Sequence, residues 1–96
     1  MMTDLFSDSD IPQIAPSFRF QWEEAQECYV LLYPEGMVKL NPSAGEILKR
    51  CDGDRSVHDI IADLKRQFHN ASIDDDVRNF LKVAHENGWL QAKRTA

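Results

Sequence analysis

Three histidines, two cysteines and the run Asp74-Asp75-Asp76 hold most of the nucleophilic, metal-binding and acid–base chemistry in this 96-residue chain. His58, His69 and His85 fall on three different helical faces when the apolar positions around them are set at a 3.6-residue period. None stands at ligand spacing from a cysteine, so the pattern offers no zinc site. Cys28 and Cys51 are too far apart for a redox Cys-x-x-Cys pair and read as buried or half-buried free thiols. The glycines at 36, 45, 53 and 88 are isolated, which excludes a phosphate loop, a dinucleotide-binding run and a nucleophile elbow. Three aspartates at a helix start are favoured by the macrodipole and need no substrate to explain them. The expectation is a protein that is not an enzyme, with no catalytic residue, no metal and no cofactor.

If the chain acts, it acts by binding, and its charge narrows the partner. Sixteen acidic residues against eleven basic ones give a formal charge of -5, which weighs against nucleic acid because Lys and Arg supply most of the affinity for phosphate backbones. The longest apolar stretch, Cys28 to Tyr33, is six residues, far short of the ~20 a membrane-spanning helix needs, so no membrane role is expected. Asp4, Asp8 and Asp10 near the N-terminus are the opposite of a presequence, and a cytoplasmic location is the reading. A hydrophobic share of 43% with 28% charged residues is the balance of one ordered domain.

The elements that would position a binding site follow from periodicity. Residues 1–17 are polar, acidic and broken by Pro12 and Pro16, so they read as a flexible tail. Phe18, Phe20 and Trp22 alternate with Arg19, Gln21 and Glu23, which puts the rings on one face of a strand and the polar groups on the other. Glu24 to Glu27 connects to Cys28–Tyr33, a middle strand apolar on both faces. Tyr33-Pro34-Glu35-Gly36 turns the chain, with glycine able to take a positive φ, into a short strand Met37–Leu40 whose Val38 and Leu40 point inward.

Asn41-Pro42 starts a helix carrying Ala44, Ile47, Leu48 and Cys51 and stopped by Gly53. Gly45 inside it suggests close approach to another backbone. Ser56 with Asp59 caps a second helix that buries Val57, Ile60, Ile61, Leu64 and Phe68; Ser72 with Asp75 caps a third that buries Ile73, Val77, Phe80, Leu81 and Ala84 and ends at Gly88. Trp89 and Leu90 fold back onto the core, and residues 91–96 fray. The fold class is α+β, a three-stranded antiparallel sheet followed by three helices, winged helix-turn-helix-like, with the domain spanning residues 18–90.

This element order allows a winged-helix DNA-binding regulator, but the turn that would face the major groove is the aspartate run, and a polyanion would repel it. What remains is the free edge of the third strand, which could accept a peptide as a fourth strand beside the third helix. About four backbone hydrogen bonds and a modest apolar area give micromolar affinity at best once immobilisation is subtracted. Lys39 on the edge, with Arg78 and Lys82 four apart on the third helix, could pair with acidic residues of that peptide. The plainer reading of the helix charges is a ladder from Asp74 to Arg78 to Lys82.

Several blocks then stand in order: Leu40-Asn41-Pro42-Ser43-Ala44-Gly45-Glu46-Ile47-Leu48, Cys51-Asp52-Gly53, Ser56-Val57-His58-Asp59-Ile60-Ile61, Asp76-Val77-Arg78-Asn79-Phe80-Leu81 and Gly88-Trp89-Leu90. With them the chain resembles the PqqD family of pyrroloquinoline quinone (PQQ) biosynthesis, from about Pro16 to Leu90. The resemblance implies a peptide chaperone, a recognition element for ribosomally made precursor peptides. Such a protein binds the precursor PqqA and presents it to the radical SAM enzyme PqqE, which joins a glutamate and a tyrosine of that peptide. It implies a winged-helix-like arrangement with the peptide beside the third strand, on Met37, Val38, Lys39 and Leu40, the backbone of the last three supplying the bonds. Val77, Phe80, Leu81 and Ala84 would be shared between groove and core, with Arg78, Lys82 and His85 at the rim. Recognition domains for other modified peptides look similar and remain an alternative. A monomer or weak dimer is expected.

Overall fold

In the computed structural model, which describes residues 7–69 and 72–93, the expected sheet forms from β2 (Arg19–Glu23), β3 (Cys28–Tyr33) and β4 (Gly36–Lys39), in the order β2-β3-β4 and antiparallel throughout. The helices are α1 (Pro42–Lys49), α2 (Val57–Phe68) and α3 (Asp74–Glu86). Two further strands, β1 (Pro12–Ile14) and β5 (Leu90–Ala92), pair antiparallel with each other, Gln13 opposite Gln91. The α+β class is as expected.

Register decides which side of the sheet meets the helices. Phe20 stands opposite Leu31 and Trp22 opposite Tyr29, while Leu31 also faces Val38, so these side chains share one face. On that face Tyr29 stacks on Phe20 at 4.8 Å and meets the edge of Trp22 at 5.0 Å, ring arrangements that add to simple burial. Leu31, Leu40, Leu48, Ile60, Leu64, Val77 and Leu81 form the centre of the core. Val30 is fully buried on the opposite face, between Gln21 and Lys39 of the flanking strands.

Capping explains where the helices begin and end. Asn41 Oδ1 accepts from the Ala44 N–H at 2.7 Å, with Pro42 in the first turn. Ser56 and Asp59 make the reciprocal capping box. At the end of α3, Gly88 takes φ +80; its N–H donates to the His85 carbonyl and that of Trp89 to the Ala84 carbonyl, a Schellman closure. The cap expected at Ser72 is displaced: Ile73 occupies the N-cap of α3 and makes no side-chain cap bond.

Several expectations are corrected. Pro12–Ile14, read as part of a flexible tail, is a strand, and Gln91 and Ala92, read as frayed, are its partners. Neighbours impose that order. The Gly53 N–H donates to the Pro12 carbonyl, the Val57 and His58 N–H groups donate to the carbonyls of Asp10 and Asp8, and the Lys93 N–H donates to Ile11. Residues 8–12 thereby satisfy the first amides of α2, which local sequence left open. Proline at the first strand position gives up no ladder bond that a partner needs. The remaining tail positions, 1–6 and 94–96, lie outside the described residues.

Gly53 is left-handed (φ +83) but does not terminate α1, which ends at Lys49 with Arg50 as its C-cap; it lets the chain meet β1. Gly36 is not among the positive-φ glycines. Gly45 is closely approached, though by a ring: an added Cβ would lie 2.8 Å from Tyr29 Cδ2. Phe68, placed in the core by its period, is 48% exposed because it is the last residue of α2, before His69 turns left-handed at φ 53. Buried Arg50 ties the end of α1 to α2 through Asp63, and pairs within its own helix with Glu46 at 2.8 Å. Nothing in the periodicity announced it.

Candidate functional site

The ladder alternation of an antiparallel pair assigns each backbone group of β4 to one side. The Leu40 N–H donates to the Tyr29 carbonyl at 3.0 Å. Counting along the register from that pair, Leu40, Val38 and Gly36 exchange bonds with Tyr29, Leu31 and Tyr33 of β3. Met37 and Lys39 therefore turn their N–H and C=O groups to the open margin, and among the described residues no strand covers it. Of Val38, Lys39 and Leu40, whose backbone the resemblance assigned to a peptide, only Lys39 has free backbone groups; Met37 supplies the other set.

Two residues past the end of β4, at Asn41, begins a groove of about 570 Å³. Pro42 and Ile47 of α1, Leu64 and Phe68 of α2, and Ile73, Val77 and Phe80 of α3 line it, with the carboxylates of Glu46 and Asp76 among its walls. The edge and the groove share one stretch of chain, from Met37 to Ile47. Such a margin and groove have the geometry to accept an extended segment, with main-chain bonds along β4 and a mostly apolar receptacle for side chains.

The predicted side chains separate into four groups. Met37 (41% exposed) and Lys39 stand at the margin, and Val38 packs partly buried against the core. Phe80 is partly buried and lines the groove, as does Val77. Leu40, Leu81 and Ala84 are buried, so their side chains support the site from beneath. Arg78, Lys82 and His85 follow the other flank of α3: at about 100° per residue, Arg78 and Lys82 lie roughly 160° round the helix from Phe80.

Arg78 is engaged there by Asp8 at 2.6 Å, which holds the Asp8 carboxyl below the usual carboxylate range. The expected Asp74 to Arg78 ladder is replaced by two cross-element pairs, because Asp74 binds Lys65 at 2.9 Å. The structure thus keeps Phe80 at the groove, leaves the Lys39 side chain on the sheet face away from the helices, and takes Arg78 and Lys82 to the other flank of α3. Sequence reasoning missed Pro42, Ile47, Leu64, Phe68, Ile73 and Asp76 as lining residues. The available signal was Phe68, a large apolar side chain at a helix end where full burial is hard.

Among the described residues no group of three or more His, Cys, Asp or Glu could hold a metal ion. Cys51 donates weakly to the Ile47 carbonyl at 3.4 Å, and burial pushes its thiol up to about 12, far from a reactive thiolate. No helix of the described residues is long and apolar enough to cross a membrane.

A three-stranded antiparallel sheet with an open margin beside a helical groove defines the class, a small α+β recognition fold. Comparison places it further: residues 28–90 match the family model for coenzyme PQQ synthesis protein D, and the chain belongs to the PqqD family. Curated relatives named PqqA binding protein include one from Azotobacter vinelandii, 56% identical over 84 residues, covering 86% of this chain and 91% of that one. One from Acinetobacter baylyi is 49% identical, covering 93% and 89%. The solution NMR structure of the PqqD truncation of Methylobacterium extorquens PqqCD, described as a stand-alone recognition element for ribosomally synthesised, post-translationally modified peptides, superposes with a TM-score of 0.73 at 30% identity. It covers 90% of this chain and 94% of that one.

Proposed function

We infer that this protein is a non-catalytic peptide chaperone of PQQ biosynthesis, which binds the precursor peptide PqqA by strand addition to β4 and presents it to the radical SAM enzyme PqqE. The observation that carries the reading is the open β4 margin, with the amides and carbonyls of Met37 and Lys39 turned outward next to the apolar groove. Relatives named for PqqA binding support the choice of peptide. Four backbone bonds at about 0.5–1.5 kcal/mol net each, with apolar side chains in the groove, suit a micromolar complex that can hand its peptide on.

Side chains would add selectivity. Lys39 offers a cation at the margin and Asp76 a carboxylate at the groove, so the peptide's charges would set its direction along β4. A DNA-binding role has the acidic first turn of α3 against it, where Asp74, Asp75 and Asp76 all stand.

Titration of isotope-labelled protein with PqqA tests the binding site. Amide shifts should concentrate at Met37, Lys39 and the groove residues around Phe80, and shifts confined to another surface would retire the site. Peptide cross-linking by PqqE, measured with and without this protein, tests presentation separately; equal rates would remove that role while leaving binding intact.

A further inference from the structure

The two sides of the β4 margin carry opposite charge. Lys39 is exposed and stands opposite Val30, whose neighbour on the other strand is Gln21, all three on the face away from the helices. Met37 shares that face, opposite Leu32, and is 41% exposed. Lys39 takes part in no ion pair among the described residues. The helix side is the reverse: the groove lining contains no Lys, Arg or His, but it holds the carboxylates of Glu46 and Asp76. Glu46 is matched by Arg50 at 2.8 Å, whereas Asp76 has no ionic partner among the described residues.

We propose, resting on the strand addition inferred above, that Lys39 is the specificity-determining residue of the β4 site and selects an acidic residue of the guest peptide directly opposite itself, with apolar residues on either side. An antiparallel guest, the orientation of both existing pairs in this sheet, exchanges both main-chain bonds of Lys39 with a single residue. That residue's side chain stands on the Lys39 face, its Cα about 5.5 Å from that of Lys39, within reach of the ammonium group. Its neighbours in sequence point to the helix side, opposite Leu40 and Val38, where the core and the groove favour apolar side chains. The next residue, opposite Met37, returns to the outer face beside an exposed thioether. From N- to C-terminus the selected pattern is apolar, acidic, apolar, apolar. A slip of one residue would turn the acid inward, to the side of the Glu46 and Asp76 carboxylates, and carry an apolar side chain out to Lys39. Attraction on one face and repulsion on the other thus fix the same register, where main-chain bonds alone would accept any.

Charge exchange between the full chain and PqqA tests this. Each Asp and Glu of PqqA is replaced in turn by Lys, and binding is followed by calorimetry. One replacement should weaken binding to the wild-type chain by about tenfold or more. Lys39→Glu should weaken binding of unmodified PqqA and recover most of the loss for that one variant peptide, the signature of a direct pair. Lys49→Glu makes the same charge change at an exposed position outside the margin and the groove, and should recover none of it. Circular dichroism checks that both protein variants are folded. Equal recovery by Lys49→Glu would reduce the effect to net charge, and the lack of any variant peptide recovered by Lys39→Glu would remove the pair; either result overturns the proposal. Amide shifts tell this failure from that of the site itself: shifts at Met37 and Lys39 on adding PqqA would leave strand addition standing without the selectivity, and shifts confined to another surface would retire both.

Discussion

The two margins of one three-stranded sheet differ in what they ask of a partner. The β4 margin carries Met37 and Lys39, starts at a glycine, and runs into a groove between helices, so its complement is an extended segment with apolar side chains. The β2 margin carries aromatic rings on one face and Arg19, Gln21 and Glu23 on the other, and its start adjoins a smaller depression of about 330 Å³ formed by Pro16, Phe18, Arg19 and Leu32 rather than a groove between helices. An open edge by itself specifies nothing, because every strand offers the same main-chain groups. Specificity comes from what lies beside it, and here the surroundings of the two edges diverge.

Proline substitution breaks this comparison most sharply. Val38→Pro removes an amide used inside the sheet and should cost about 3 kcal/mol or more in urea unfolding. Lys39→Pro removes an outward amide, so stability should stay within about 1 kcal/mol while PqqA affinity drops about tenfold or more. If the two variants lose stability equally, the assignment of inward and outward groups on β4 is wrong.

A smaller effect tests the β2 side. Gly45→Ala forces a methyl group against the Tyr29 ring, which itself contacts Phe20 and Trp22. Overpacking of about 1–3 kcal/mol, offset by up to about 1 kcal/mol of helix propensity, should leave a net destabilisation with altered Trp22 emission. Peptide binding at β4 should be affected less than the aromatic face. Wild-type stability in this variant would mean that the ring moves away freely.

Phe68→Ala sharpens the β4 side. Because Phe68 is 48% exposed, its loss should change stability by less than about 1 kcal/mol. A several-fold fall in PqqA affinity, about 1 kcal/mol, should accompany it where the peptide fills the groove; unchanged affinity by calorimetry would confine the site to the strand edge.

The mildest expected change concerns the scaffold that both edges share. The Arg50 guanidinium, followed by Arg66, holds the Asp63 carboxyl below its ordinary value, and Arg78 does the same for Asp8. For carboxylates shifted down on folding, the stabilisation is present above the unfolded value near 4 and is lost as pH falls through the folded value. Denaturation midpoints should therefore be flat above about pH 5 and decline below about pH 4, less steeply in Asp63→Asn. A decline of unchanged steepness in that variant would remove Asp63 from the acid response.

Much of this architecture was legible in the sequence because it is locally encoded. Alternation in Phe18, Phe20 and Trp22, the Tyr33-Pro34-Glu35-Gly36 turn, the Asn41 and Ser56 caps and the Gly88 terminator each act within a few residues. Their elements appear where the pattern puts them. The candidate site was legible as an element, the third strand, but less so as side chains. Helical period alone could not tell which flank of α3 faces the groove, and the cations of Arg78 and Lys82 proved to be on the other one.

By itself, then, the sequence determined the three central strands, the three helices and the blocks that mark the PqqD family, since local hydrogen bonding and apolar period suffice for them. Tertiary structure decided the rest. Pro12–Ile14 becomes a strand only because Leu90–Ala92 and the Gly53 amide lie beside it, and Arg78 meets Asp8 only because bonds to the first amides of α2 hold residues 8–10 in place. Which amides of β4 and β2 face outward depends on the register with β3. Contacts between residues distant in the chain settle these points, and no local pattern contains them.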